Sequence, residues 1–384
     1  IYIYLHARIV KTAYRTGASF FLLSNLLGAA ARLYLVCLIL QNYVFGSMGV
    51  PFEITAAGTV FLIWLYTFRG GIKSLVWTDA LQTLCLITAL VLILYQLCRL
   101  NDFTVTEAIR HVTESPYGRW IEWDDWTSRQ HFVKQFFSGV FIVIVMTGLD
   151  QDMMQKNLTC KNLRDAQKDM CSYGFSFIPL NMLFLGMGIL LLALASREGI
   201  ALPVKGDDIL PLFCAEGYLG NEVLVLFTIG IIAAAFSSAD SALTALTTSF
   251  CVDILDVERR FARPEAVRKR VHGVIALLFV GFILCFEAVN DSSVIDAIYV
   301  VASYTYGPLL GLFAFGMFTR RKPWPAAVPW ICVTAPVCCY LLDVWTASVY
   351  GYRFGYELLM LNGLFTFVGL YAFSKAYSPG MDKR

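Results

Sequence analysis

Apolar stretches of about twenty residues alternate with short charged loops along nearly the whole chain. Stretches of that length cross the hydrocarbon core of a bilayer as helices. Ten are predicted, at 17–40, 48–68, 72–97, 131–149, 171–195, 221–250, 271–289, 294–318, 325–345 and 356–375. The loops between them differ in charge. Of the 30 Lys and Arg, 21 fall in alternate loops, including Lys156, Lys161, Arg164 and Lys168 and the run from Arg259 to Arg270. The intervening loops hold eight, and Arg32 lies within the first span. The positive-inside rule places the basic loops and the N-terminus of the chain in the cytoplasm, so the expected location is the plasma (inner) membrane, crossed many times.

Composition agrees. The 384 residues are 58% hydrophobic and 15% charged, against about 25% charged in a soluble domain. The predicted class is an all-α polytopic membrane protein whose partner is the lipid bilayer. The net charge of +2 gives no reason to expect nucleic acid. Most of the eleven cysteines, such as Cys37, Cys85, Cys251 and Cys285, fall in apolar spans and read as small buried hydrophobes. In the longest loop, 98–130, a short surface helix is expected at 105–112, and Trp120, Trp123 and Trp126 recur at helical spacing as an interfacial anchor. The chain begins Ile-Tyr-Ile-Tyr, with neither Met nor a signal pattern. It is expected to be one integral membrane domain, 1–384, from a longer protein.

Four constellations break the apolar pattern. Gly70-Gly71 precedes Lys73, Asp79 and Gln82. The glycines suggest a tight turn. Asp79 is either a helix-entry carboxylate near the headgroups or, since an apolar run precedes it, a deeper functional group. Gly148-Leu149-Asp150-Gln151-Asp152 ends the fourth span and reads first as a solvated helix end. In the sixth span Ser237, Ser241, Thr244 and Thr248 share one helical face, with Asp240 beside them. An Asp at a helix centre costs roughly 2.5–3.5 kcal/mol on insertion scales. Small residues here could serve close helix packing, but an oxygen-lined stripe also suits a small hard cation. Asp253, further along, reads as a helix-end charge. Fourth, Tyr304-Thr305-Tyr306-Gly307-Pro308 interrupts the eighth span and frees backbone carbonyls, as at a transporter site or hinge or as a plain kink. No catalytic set emerges: His6, His111, His131 and His272 lie near predicted loops, so the chain is not expected to be an enzyme.

These runs, taken in order, carry a resemblance: Gly70-Gly71-Ile72-Lys73 to Asp79 and Gln82, Gly148-Leu149-Asp150-Gln151 to Lys168, and Ala234-Ala235-Phe236-Ser237-Ser238-Ala239-Asp240-Ser241. The chain resembles the sodium:solute symporter family over nearly its whole length. The resemblance implies the inverted-repeat fold of the leucine transporter, with about three helices preceding Ile1. It implies sodium as the co-transported ion and a small-molecule solute. The main sodium site would draw on the Ala234 carbonyl and the Ser237 and Ser238 hydroxyls. A possible second site would use Asp79, Ser241 and Asp240, the last a departure from the family pattern. Positions that contact sugar in sugar-transporting members are here Val143, Met146 and Thr147, which argues against a sugar held in that manner. The implied function is sodium-driven solute uptake by alternating access. The alternative is a transporter-like membrane sensor domain of a signalling protein.

Overall fold

The computed structural model describes residues 2–119, 121–204, 206–289 and 294–376. Fifteen α-helices follow in order among them: α1 (Ile3–Arg8), α2 (Lys11–Leu40), α3 (Phe52–Leu100), α4 (Val105–Glu114), α5 (Phe132–Val143), α6 (Gln151–Asn157), α7 (Leu163–Glu198), α8 (Ile209–Ala215), α9 (Asn221–Ser249), α10 (Val257–Arg260), α11 (Pro264–Val289), α12 (Val294–Thr305), α13 (Gly307–Phe318), α14 (Ala327–Tyr350) and α15 (Leu358–Ala372). A two-stranded antiparallel ribbon, β1 (Arg321–Pro323) with β2 (Ser374–Ala376), ties the loop after α13 to the end of α15.

Six helical stretches among the described residues are long and apolar enough to cross a membrane. Two more spans arise if each bent pair counts once, Phe132–Gly148 with Gln151–Asn157 (64°) and Ile298–Thr305 with Gly307–Phe318 (41°). Two shorter apolar stretches, Phe52–Leu65 at the start of α3 and Leu358–Ala372, occupy the remaining expected positions. The chain is thus an all-α, multi-pass membrane protein. The expected turn at Gly70-Gly71 does not form: α3 runs unbroken for 49 residues, about 74 Å at 1.5 Å per residue. A glycine inside a helix costs only about 1 kcal/mol relative to Ala, which strong helical runs on both sides offset.

Three apolar cores hold the helices together. One joins α1, α13 and α15 to the N-terminal half of α2, with Phe21, Leu309 and Phe315 buried. The second packs the rest of α2 against α3, α9 and α11 through Ile63, Leu243 and Phe279. The third closes the C-terminal end of α3 on α4, α7 and α8. α4 fulfils the expected surface helix. Thr104 caps it by accepting from the Glu107 backbone N–H, while the Glu107 carboxylate accepts from the Thr104 N–H, a reciprocal capping box. The row of tryptophans is not helical: residues 121–131 are irregular, and Trp123 and Trp126 pack edge-on against the His131 ring. Trp120 lies outside the described residues.

The break between α12 and α13 is sealed rather than open. Pro308 has no N–H to give the Tyr304 carbonyl four residues back. The Asn362 amide of α15 supplies the missing donor, at 2.9 Å from Tyr304 O and 3.0 Å from Ser303 O. Gly307 lets Asn362 approach, since a Cβ there would stand 2.3 Å from the amide. The carbonyls expected to be free for a ligand are therefore occupied by the protein itself.

Candidate cation site between α2, α3, α6 and α9

Where α9 crosses α3, serines meet a carboxylate. Ser237 Oγ donates to Asp79 Oδ1. The other Asp79 oxygen lies 3.0 Å from Lys156 Nζ of α6, with both side chains about one-third exposed. One residue further along α9, Ser238 Oγ accepts from Arg32 Nε of α2 at 3.1 Å. Ala234 sits one turn earlier in the same unbroken helix, its carbonyl in the main-chain ladder.

Asp240 is 0% exposed, and neither of its carboxylate oxygens has a hydrogen-bond partner; the Ser241 hydroxyl, 2% exposed, also has none. A buried carboxylate without donors is costly unless a positive charge offsets it. The Ser241 backbone N–H lies close enough to act on Asp240 without reaching good hydrogen-bond geometry, and the charges that act on it are Asp79, Lys156 and Asp152.

The bend between α5 and α6 adds two more acids. Asp150 caps α6, accepting from the Asp152 N–H at 2.8 Å. Its second oxygen accepts from the Tyr306 hydroxyl at 3.0 Å, which ties this bend to the break between α12 and α13. Asp150 is 7% exposed and Asp152 half-buried, so this is not the solvated helix end read from the sequence. Asp253, read as a helix-end charge, does lie at the end of α9 and is bound there. It accepts from Tyr14 and Ser249 at 2.8 and 2.6 Å, linking α2 to the end of α9.

Arg32 and Lys156 thus stand among four carboxylates, Asp79, Asp150, Asp152 and Asp240, which interact electrostatically. With every group ionised the cluster has an excess of negative charge. Hydroxyls and carboxylates are the donor set of a hard monovalent cation. Among the described residues no three His, Cys, Asp or Glu side chains converge as a transition-metal site would require.

The sequence-predicted residues divide. Asp79 and Ser237 meet directly; Asp240 and Ser241 lie buried on the same helix, and Ser238 is taken by Arg32. Val143, Met146 and Thr147 do not join them. Val143 ends α5 with its side chain exposed, and Met146 packs against the apolar core around α1 and α13. Arg32, Lys156 and Tyr306 join the cluster although the sequence pattern assigns none of them a role in the site. A lone arginine inside an apolar span is itself a signal of a buried partner. His272, expected near a loop, is buried in α11 between two hydroxyls, 2.9 Å from Thr67 Oγ1 and 3.0 Å from Thr247 Oγ1.

Comparison with known proteins gives the family. The chain is 26% identical over 346 residues to the sodium/sialic acid symporter SiaT of Proteus mirabilis, covering 87% of this chain and 68% of that protein. It is 25% identical to the sodium/sialic acid symporter NanT of Aliivibrio fischeri, covering 84% of this chain and 64% of that one. The chain therefore spans about two thirds of the length of these relatives. The human sodium/iodide cotransporter is 22% identical, with 83% and 50% covered. A solved Na+-coupled sialic acid symporter in a substrate-bound outward-open state superposes with a TM-score of 0.76 at 20% identity, over 98% of this chain and 78% of that one. The sequence model of one family matches residues 25–327, which contain the whole polar cluster and both bent helices, and the chain belongs to that family, the sodium:solute symporters.

Proposed function

We propose that the protein is a secondary active transporter that couples inward sodium movement to uptake of a small solute, with the α3–α9 cluster as its sodium site. One observation carries the reading: Asp240 is buried, has no side-chain hydrogen-bond partner and is surrounded by more carboxylates than cations. A monovalent cation beside Asp79, Ser237, Asp240 and Ser241 would balance that charge. The Ala234 carbonyl and the Ser237 and Ser238 hydroxyls form the main sodium site in this proposal, and Asp79, Asp240 and Ser241 a second.

The same geometry supplies a coupling device. Lys156 holds Asp79 and Arg32 holds Ser238. An entering cation competes with both, so its binding changes how α2 and α6 are tethered to α3 and α9. A ligand shifts a conformational equilibrium only by its differential affinity for the two states, and ligands drawn from several helices supply such a difference. One charge crossing about 100 mV yields about 2.3 kcal/mol, and a tenfold sodium gradient adds roughly 1.4 kcal/mol. Together they support accumulation of several hundred-fold for one coupled ion. The basic loops put Lys156 and the Arg259–Arg270 run on the cytoplasmic face of the plasma membrane. The geometry gives the sensor alternative no support of its own.

The test is uptake by the full chain in proteoliposomes, with and without an inward sodium gradient. The solute panel starts with sialic acid, the substrate named for the first relatives, and extends to iodide, vitamins, monocarboxylates and glucose. Sodium-dependent accumulation of one solute, lost in Ser238→Ala, is expected. Accumulation indifferent to sodium, or an unchanged sodium dependence in Ser238→Ala, overturns the assignment.

A further inference from the structure

A second polar feature lies away from the cation cluster. A cavity of about 820 Å³ opens between α2, α5, α11, α12, α14 and α15, at the loops poor in Lys and Arg that the positive-inside rule puts outside the cell. Its volume is that of a small-molecule site. Phe282, Phe286 and Tyr304 line it, and Arg129 and Arg353 contribute to its wall.

Both arginines are exposed; Arg129 is tied at its carbonyl and its side chain, and Arg353 at its carbonyl. Gln135 Nε2 donates to the Arg129 carbonyl at 2.8 Å, and Arg129 Nε donates to the Arg353 carbonyl at 3.4 Å. Neither guanidinium takes part in an ion pair among the described residues. The nearby carboxylates are engaged elsewhere. Asp343 Oδ1 accepts from the Phe354 N–H at 2.8 Å, and Glu357 accepts from the Tyr352 hydroxyl at 2.6 Å. Asp343 itself lines the cavity, and its carboxylate is an acceptor for a hydroxyl. Aromatic faces, two unpaired guanidinium groups and one acceptor make a defined recognition set: carboxylate to arginine, hydroxyl to Asp343, and an apolar ring face to the aromatics.

We propose that this cavity is an external docking site for a hydroxylated organic acid, through which the solute is captured before it moves inward. The proposal rests on the transport reading and names its substrate class. Two guanidinium groups outnumber the one carboxylate in this wall, and such a positive bias raises the local concentration of an anionic ligand and loses that advantage in salt.

The experiment measures binding and transport separately, on the full chain. Binding of N-acetylneuraminate, gluconate and lactate to the detergent-solubilised protein is followed by calorimetry, with glucose as the neutral comparison. Uptake of whichever acid binds is then followed in proteoliposomes. In the double variant Arg129→Gln/Arg353→Gln, the affinity for the acid is expected to fall at least tenfold. Its uptake KM should rise in parallel, with the maximal rate and the sodium dependence unchanged. Arg129→Lys/Arg353→Lys should restore much of the affinity. Wild-type affinity in the double Gln variant, an equal loss for glucose, or no binding of any of the three acids by the wild type overturns the proposal. Sodium-driven uptake of a neutral solute alone would sink it and leave the transport reading standing. Acid binding that depends on both arginines, with uptake indifferent to sodium, would do the reverse.

Discussion

Asp240→Asn separates the charge of this residue from its shape. The side chain is 0% exposed and neither oxygen has a hydrogen-bond partner. Leaving a buried charge unpaired costs about 3–5 kcal/mol, whereas an unsatisfied neutral polar group costs about 1–3 kcal/mol. A buried acid relieves most of the charge's cost by taking up a proton, so in choline chloride the variant should unfold at the same temperature as the wild type or slightly above it. Sodium should invert the order of gains. A ligand bound only by the folded state stabilises it by about 2.7 kcal/mol at a hundredfold excess over Kd. The wild type should show that increment and Asp240→Asn should lose most of it. The assay is thermal unfolding of the full chain in detergent, read by intrinsic fluorescence, with sodium replacing choline at constant ionic strength. If Asp240→Asn keeps the whole sodium increment, the carboxylate is not a cation ligand. If the variant is less stable than the wild type in choline, Asp240 has a donor and the reasoning from its isolation fails.

Lys156→Gln removes the protein's own cation from Asp79. The pair is 3.0 Å apart but one-third exposed, so it is worth about 1 kcal/mol, and the sodium concentration for half-maximal uptake should fall about fivefold. An unchanged or higher value would remove Lys156 as a competitor. Tyr306→Phe withdraws the side-chain donor of the buried Asp150. It should cost about 1.5–3 kcal/mol in thermal unfolding, with the break at Gly307 otherwise intact. In α4, the hydrogen bonds from the Thr104 backbone and side chain hold the Glu107 carboxyl below its ordinary range. The stability it contributes is present above its unfolded value and is lost as pH falls through the lowered folded value. Protection of the amides within 105–114 against exchange should fall over that acid range in the wild type, and Glu107→Gln, which removes the titrating group, should abolish the pH dependence.

What the sequence made legible was what periodicity and cost make legible. Apolar length marked the spans, and the charge of the loops marked their alternation. Asp79 and Asp240 stood out because a carboxylate inside an apolar run needs a reason. Their neighbours did not. Lys156 looks like any loop lysine until α6 folds back at the 64° bend and brings it to Asp79. Asn362 is an unremarked polar residue in an apolar helix, and only the packing of α15 on the α12–α13 break turns it into the cap for two orphan carbonyls. The glycine pair at 70–71 misled in the opposite direction. Glycine permits a turn but does not require one, and α3 continues through it. Long-range pairings such as Arg32 with Ser238, 206 residues apart, depend on helix crossings that no local pattern encodes.

The central claim is that the α3–α9 cluster binds sodium, and equilibrium binding of sodium-22 to the purified full chain tests it most directly. The account predicts saturable binding that unlabelled sodium displaces and potassium does not. Binding should weaken at least tenfold in Asp79→Asn and Asp240→Asn and stay unchanged in the exposed control Glu114→Gln. Saturable binding of equal strength in all four proteins, or no saturable binding in the wild type, would contradict it.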